Sequence, residues 1–278
     1  MAPIFQIVSD LHLETRGAYD FRLPQTAPNL ALLGDIGQVA DDGLFVFLEK
    51  QLRRYWNVFF LLGNHEAAHT SWAAAKARVR DFAARMERLR ARSTIGRFVF
   101  LDQTRHDMDP YTTILGCTLF SSVTNEQQTA VAGRLVDFRN IQDWTVANHN
   151  TAHASDVQWL NVQVKAISEK EPQRNIFIFT HHCPTVDART VAPQNRDSPA
   201  SSGFSTDLSS QPCWTNANVV LWGFGHTHFN CDFVDTETNK RVVSNQAGYA
   251  LVAESDFDSK KLFVLEKLGN VGISGYGS

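Results

Sequence analysis

Val58-Phe59-Phe60-Leu61-Leu62-Gly63-Asn64-His65-Glu66 joins a continuous apolar run of strand length to a tight polar loop. A run without polar alternation is the pattern of a strand covered on both faces. Gly63 ends it, and an amide, an imidazole and a carboxylate follow at once. The same pairing recurs along the chain. Residues 4–8 (Ile-Phe-Gln-Ile-Val) lead through Ser9 into Asp10-Leu11-His12, and residues 29–33 end in Gly34-Asp35. Residues 176–179 end in Thr180-His181-His182-Cys183-Pro184, and residues 219–222 in Gly223-Phe224-Gly225-His226-Thr227-His228. In open α/β sheets the carboxyl ends of the strands converge on one edge, where ligands bind, so loops about 220 positions apart are expected to meet.

Between these strands the period changes. Residues 41–52 show a helical pattern through Leu44, Phe47, Leu48 and Leu52, with Asp41 or Asp42 as N-cap. Residues 72–92 carry one apolar stripe through Trp72, Val79, Phe82, Met86 and Leu89. Shorter strands are expected at 98–101 and 113–116, and helices at 125–131 and 156–168. Strands at 231–235, 241–245 and 261–264 close the chain. No repeat or linker divides residues 1–278, which read as one domain. Helices alternate with strands early and strands dominate late, the pattern of an α/β fold with mixed sheets.

Composition narrows the function classes. Twenty-six basic against twenty-nine acidic residues give a net charge of −3, which argues against extended nucleic-acid binding. The arginines of the 72–92 helix read first as a solvated face and second as an attractive surface for a polyanion. No apolar run reaches the roughly 18–20 residues of a membrane helix, and no secretory signal opens the chain, so it reads as cytoplasmic. Four separated cysteines (Cys117, Cys183, Cys213 and Cys231) form no Cys-x-x-Cys pair and are expected to be reduced.

The residue types carry the chemistry. Asp10, Asp35, Asn64 and the loop histidines offer oxygen and imidazole donors without thiolate, a set suited to Zn, Mn, Fe or similar divalent ions. Seven donors are too many for one tetrahedral ion and suit two ions sharing a carboxylate.

In this order, the Asp-x-His, Gly-Asp, Gly-Asn-His-Glu, Thr-His-His-Cys-Pro and Gly-His-x-His segments resemble the calcineurin-like metallophosphoesterase superfamily over residues 4 to about 230. Asn245-Gln246-Ala247-Gly248-Tyr249 also looks like a stretch found in some small members. The resemblance implies two mixed β-sheets packed as a sandwich and flanked by helices, in four layers. It implies two divalent metal ions. Asp10, His12 and His228 hold the first, Asn64, His181 and His226 the second, and Asp35 bridges them. His65 faces the phosphate as a catalytic group that stabilises it or protonates the leaving oxygen, after attack by a metal-bridged hydroxide. His181 directly follows Thr180 as the ligand does in related patterns, while His182 remains the alternative ligand or a substrate group. The implied function is hydrolysis of a small phosphoester, with a phosphodiester of nucleotide-like or cyclic form favoured. Phosphomonoesterase, protein phosphatase and nuclease activity, and a non-catalytic scaffold, are the competing functions. The protein phosphatase branch is disfavoured because Ile36-Gly37-Gln38 follows Asp35 and Leu62 precedes Gly63.

Outside the motifs, His106, His149 and His153 read as exposed or capping histidines, and His69 as a candidate for the rim of the site. Residues 187–214 read as a long loop forming one wall of the substrate groove, with Arg189 or Arg196 meeting phosphate. On that reading the loop could be removed without loss of metal.

Overall fold

A computed structural model describes residues 3–16, 19–249, 252–253 and 256–264. The strands and helices in chain order are β1 (Ile4–Val8), β2 (Asn29–Leu33), α1 (Asp42–Leu52), β3 (Asn57–Leu61), α2 (Trp72–Arg90), β4 (Arg97–Phe100), β5 (Thr104–Asp109), β6 (Thr112–Gly116), α3 (Gln128–Arg134), α4 (Asp137–Asn140), α5 (Val146–Lys170), β7 (Asn175–Phe179), α6 (Pro212–Thr215), β8 (Val219–Phe224), β9 (Cys231–Val234), β10 (Arg241–Ser244), β11 (Gly248–Tyr249), β12 (Val252–Ala253) and β13 (Leu262–Val264).

Two larger sheets form, in the orders β13-β1-β2-β3-β4 and β5-β6-β7-β8-β10-β9, with β11 and β12 as a small separate pair. Strands β1 to β4 run parallel and β13 adds antiparallel at the edge. Strands β6, β7, β8 and β10 run parallel, with β5 and β9 antiparallel at the two edges. The five polar loops therefore leave the same ends of parallel strands.

Three apolar layers explain the sandwich. Leu44, Phe47 and Leu48 of α1 and Val79, Phe82 and Met86 of α2 pack on one face of the first sheet. Phe5, Leu33, Phe59, Phe177, Phe179 and Leu221 form the layer between the sheets. Leu160, Val164 and Ile167 of α5 cover the outer face of the second sheet with Trp222 and Trp214. The order is helix, sheet, sheet, helix, as the resemblance implies. The central strands are apolar throughout because both faces are covered.

Two elements differ from the sequence reading. Strand β5 (Thr-Arg-His-Asp-Met-Asp) has no apolar alternation to find. It is an edge strand, and its charges sit where a sheet edge tolerates them. Helix α5 starts ten residues earlier than the 156–168 pattern suggests. Its buried positions are Val146, His149, His153, Asp156, Leu160, Val164 and Ile167, at helical spacing. Polar side chains fill the first half of that stripe, so hydrophobicity alone hides it. Thr145 and Asn148 close a capping box at its start.

Four of the six basic residues of α2 are ion-paired. Arg78 pairs with Asp42, Lys76 and Arg80 with Asp102, and Arg90 with Glu87. These pairs favour the solvated-face reading over a polyanion surface. No helix among the described residues is long and apolar enough to cross a membrane.

Phe5 is the knot of the inter-sheet layer. Its ring lies 5.8 Å from Phe59 in its own sheet, and 5.8 Å from Phe177 and 5.5 Å from Phe179 in the other. Phe5→Ala is expected to cost about 3–5 kcal/mol, read as a lower urea midpoint at unchanged slope. A loss below about 1 kcal/mol would show that the sheets do not depend on this contact.

Candidate metal centre

The ligand loops turn sharply as they leave the strands. Asp10, His12, Asp35, His226 and His228 all have positive φ, between 44° and 70°. Non-glycine residues enter this region at a cost of about 1–3 kcal/mol each, and such residues cluster at functional sites. The backbone is held there by ties between loops. Asp10 N donates to Gly34 O, His12 N to Asp35 O, and Ser9 N to Asn245 O. The Glu66 carboxylate accepts from the amides of Asp35 (2.9 Å), Ile36 (2.7 Å) and Gly63 (2.8 Å), locking the β2 and β3 loops together.

The loops also approach too closely for side chains. A Cβ at Gly63 would lie 2.2 Å from Asp35 Oδ1, and one at Gly34 would lie 2.5 Å from His181 Nδ1. Glycine at both positions is a steric requirement of the centre.

Donor atoms converge in two adjoining groups. Asp10, His12 and His228 each place a donor within 4.8 Å of the others, and so do Asp35, His181 and His226. His228 Nε2 lies 3.3 Å from Asp10 Oδ1 and 3.1 Å from His12 Nε2. His181 Nε2 lies 3.4 Å from Asp35 Oδ2 and 3.0 Å from Asn64 Oδ1. His12 Nε2 is 3.8 Å from Asp35 Oδ2, so this carboxylate touches both groups. The structure thus brings together all seven residues singled out as ligands.

The electrostatics fit cations. Asp10 and Asp35 are buried, and the groups facing them are imidazoles. Burial raises the pKa of each carboxyl. The hydrogen bond from His228 at Asp10, and the charges of His181 and His65 at Asp35, still hold both below the usual range. Burial lowers His181, but the Asp35 charge and hydrogen bond carry it up to about 10. His226, lacking such a bond, is pushed by burial and His181 down to about 3. Oxygen and imidazole donors converge on two buried carboxylates, and divalent ions suit that set.

Outer contacts aim the donors. His181 Nδ1 donates to Leu33 O at 2.8 Å, and Asn64 Nδ2 donates to Asp137 Oδ1 at 2.7 Å, which turns Oδ1 inward. His226 Nε2 donates to Gly203 O at 3.3 Å, and His228 N donates to Gln246 Oε1 at 2.6 Å. Such contacts fix tautomer and ring orientation. Sequence reading missed Asp137 and Gly203, which lie in unremarkable sequence far from any motif.

Helix α5 supports the centre from behind. His149 Nε2 accepts from Ser121 N, His153 Nδ1 donates to Leu119 O, and Asp156 accepts from Leu119 N. These bonds hold Leu119 and Phe120 at positive φ. Thr118 O of the same loop accepts from the amides of His181 and His182. His149 and His153 are therefore buried supports, not the exposed or capping residues of the sequence reading. His69 is exposed.

Three site candidates lie apart from the donors. His182 is fully buried, with its ring 4.1 Å from that of His226 and against Phe120 and His149. Neither of its ring nitrogens has a hydrogen-bond partner among the described residues. Arg189 forks onto Asp187 and lies over the Phe233 ring at 3.8 Å, and Arg196 donates to Ala188 O. Their guanidiniums are engaged within or beside their own loop instead of aimed at a phosphate. The loop itself is tied in. Phe204 stacks on His226, and its carbonyl accepts from Cys183 N. It folds as short 3-10 turns ending in α6. Removing it would strip support from His226, which corrects its reading as a dispensable wall.

Gly63→Ala is expected to lower metal affinity tenfold or more, measured by metal analysis after dialysis against graded free Mn. Gly133→Ala, whose Cβ meets nothing within 4 Å, is the control and should keep wild-type affinity.

Comparison with known proteins agrees with this geometry. A mycobacterial phosphopantetheinyl hydrolase (PptH, Mycobacterium tuberculosis) superimposes with a TM-score of 0.65 at 15% identity, over 90% of this chain and 91% of its own. An uncharacterised protein of Acanthamoeba polyphaga mimivirus is 24% identical, over 89% of this chain and 91% of the viral one. The family model for calcineurin-like phosphoesterases matches residues 5–230. The chain belongs to the calcineurin-like phosphoesterase family and is a metal-dependent phosphoester hydrolase.

Proposed function

We propose that this centre binds two divalent ions and hydrolyses a small phosphodiester. Asp10, His12 and His228 hold one ion, Asn64, His181 and His226 the other, and Asp35 is shared. When bound, the ions supply Lewis-acid charge to the phosphoryl oxygens and acidify the water that attacks phosphorus. The observation that carries this reading is the pair of donor clusters meeting at Asp35, with His65 at their rim.

His65 stands beside the ligands: one of its ring nitrogens lies within 4.8 Å of donor atoms of His12 and Asp35. Its amide donates to Asp35 Oδ1 at 2.8 Å, which fixes the backbone beside the centre. Nδ1 faces Glu14, and Nε2 faces the hydroxyl of the partly exposed Tyr249 at 3.2 Å. Burial lowers its pKa, but the charges of Asp35 and Glu14 carry it up to about 9. An imidazole held beside the centre by Glu14 is of the residue type that can protonate a leaving oxygen near neutral pH.

The diester preference draws support from the arginines. A monoester dianion is commonly held by a bidentate guanidinium clamp. Arg189 and Arg196, the two loop arginines, are engaged elsewhere. A singly charged diester can be held by two ions without such a clamp. The fold neighbour named as a phosphopantetheinyl hydrolase makes a phosphopantetheinyl ester a further candidate substrate.

The test is a hydrolysis panel with Mn-loaded protein. It compares bis-p-nitrophenyl phosphate, p-nitrophenyl phosphate, 2′,3′- and 3′,5′-cyclic nucleotides and a phosphopantetheinyl diester. Diesters should give the higher kcat/KM, and Asp35→Asn should lower kcat about 100-fold or more. Faster turnover of the monoester would overturn the diester proposal. No turnover of any ester, with two ions shown bound, would overturn the catalytic reading of the centre.

A further inference from the structure

Glu14 lies on the short 3-10 turn Leu13–Arg16, directly after the first ligand loop. Its carboxylate is nearly buried, with 8% side-chain exposure. One oxygen, Oε1, serves two imidazoles, lying 3.2 Å from His12 Nδ1 and 3.4 Å from His65 Nδ1. The other oxygen, Oε2, is buried and has no hydrogen-bond partner among the described residues. A buried carboxylate is costly unless it is paired, so its position calls for an explanation. The two rings it serves stand edge to face, 4.6 Å apart at 78°. On their far side the Tyr249 ring stacks on His12 at 4.2 Å, with its hydroxyl against His65 Nε2.

The geometry points to Glu14 as the positioning residue for His65. By accepting the Nδ1 hydrogen it fixes the ring's rotation and leaves Nε2 facing the open side of the centre. There the alcohol oxygen of the substrate takes the place of the Tyr249 hydroxyl. In the step concerned, a bond forms from the attacking water oxygen to phosphorus and the bond to the alcohol oxygen breaks. That oxygen takes its proton from Nε2. Glu14 touches neither substrate nor reacting atoms; it acts through His65. The same oxygen also fixes His12, so the rotation of the acid is tied to the rotation of a ligand. This inference rests on the acid role proposed for His65.

Dependence on the leaving group separates the two ideas. The pairs bis-p-nitrophenyl phosphate with diphenyl phosphate, and p-nitrophenyl phosphate with phenyl phosphate, differ in how much the departing oxygen needs a proton. Mn-loaded wild type, H65N, E14A and E14Q are compared for kcat, KM and bound metal. H65N should lose about 100-fold more kcat on the phenyl esters than on the p-nitrophenyl esters. E14A, assayed at free Mn high enough to keep two ions bound, should lose about tenfold more kcat on the phenyl esters than on the p-nitrophenyl esters. E14Q, which keeps an acceptor oxygen, should fall between wild type and E14A. If H65N slows both esters of a pair equally, the acid role falls and this inference falls with it. If H65N discriminates while E14A and E14Q do not, only the role of Glu14 is overturned. Equal loss on both esters in the Glu14 variants with two ions bound would overturn it in favour of support for His12 alone.

Discussion

Two buried carboxylates, Asp10 and Asp35, constrain everything around them. Moving an ionised carboxylate out of water costs several kcal/mol even after relaxation, and only charge or hydrogen bonding in the interior offsets that. Among the described residues, no guanidinium or ammonium is their closest partner. The chain supplies imidazoles, whose nitrogens converge from four loops, together with the amide oxygen of Asn64. In the protein alone, the Asp35 charge carries His181 up to about 10 against burial, so its proton offsets part of the charge, and the bond to Asp10 raises His228. Divalent ions offset the charge more completely, and metal binding must then release the His181 proton. The fold's task is to hold mutually repelling groups close enough to be bridged.

The backbone strain follows from that task. A strand end has few ways to present a short side chain back over its own sheet edge, and the left-handed turn is one of them. Five ligands adopt it. Their strain is sustained by packing on both sides of the sheet and by Glu66, whose carboxylate gathers three amides from two loops. Burial and Asp35 raise the pKa of Glu66, while the amide bonds favour its ionised form. The glycines belong to the same economy of space. The Gly63 position lets the Asp35 side chain cross where a methyl group would sit.

What the sequence made legible divides along physical lines. The apolar strands β2, β3, β7 and β8 could be read because two covered faces demand unbroken hydrophobic runs. The ligands could be read because each sits directly at the end of such a run. Strand β5 and the first half of α5 could not. In both, polar side chains occupy positions whose role is set by neighbours distant in sequence. His149 and His153 look like surface residues until loop 118–121 is placed against them. Tyr249 and Gln246 lay in a noticed stretch without a role, because only the three-dimensional return of the chain after β10 sets them over His12 and beneath His228. Arg189 and Arg196 show the opposite error. Charge type suggested phosphate, but nearer partners within the loop engage them first.

The long segment between the last two motifs is best understood from its one carbonyl at the centre. Gly203 O receives the Nε2 hydrogen of His226, so Nδ1 is left free to face the ligand group. Two further contacts keep it there: Phe204 stacked on the same imidazole, and the pairing of residues 204 and 206 with Cys183. Val131 and Leu135 lie about 3 Å from where a Gly203 side chain would begin, so the loop is seated on α3 as well. A loop anchored at these points cannot move freely over the substrate without disturbing a ligand. Any substrate selectivity it confers must therefore reside in its outer, exposed residues, while its inner edge belongs to the metal centre.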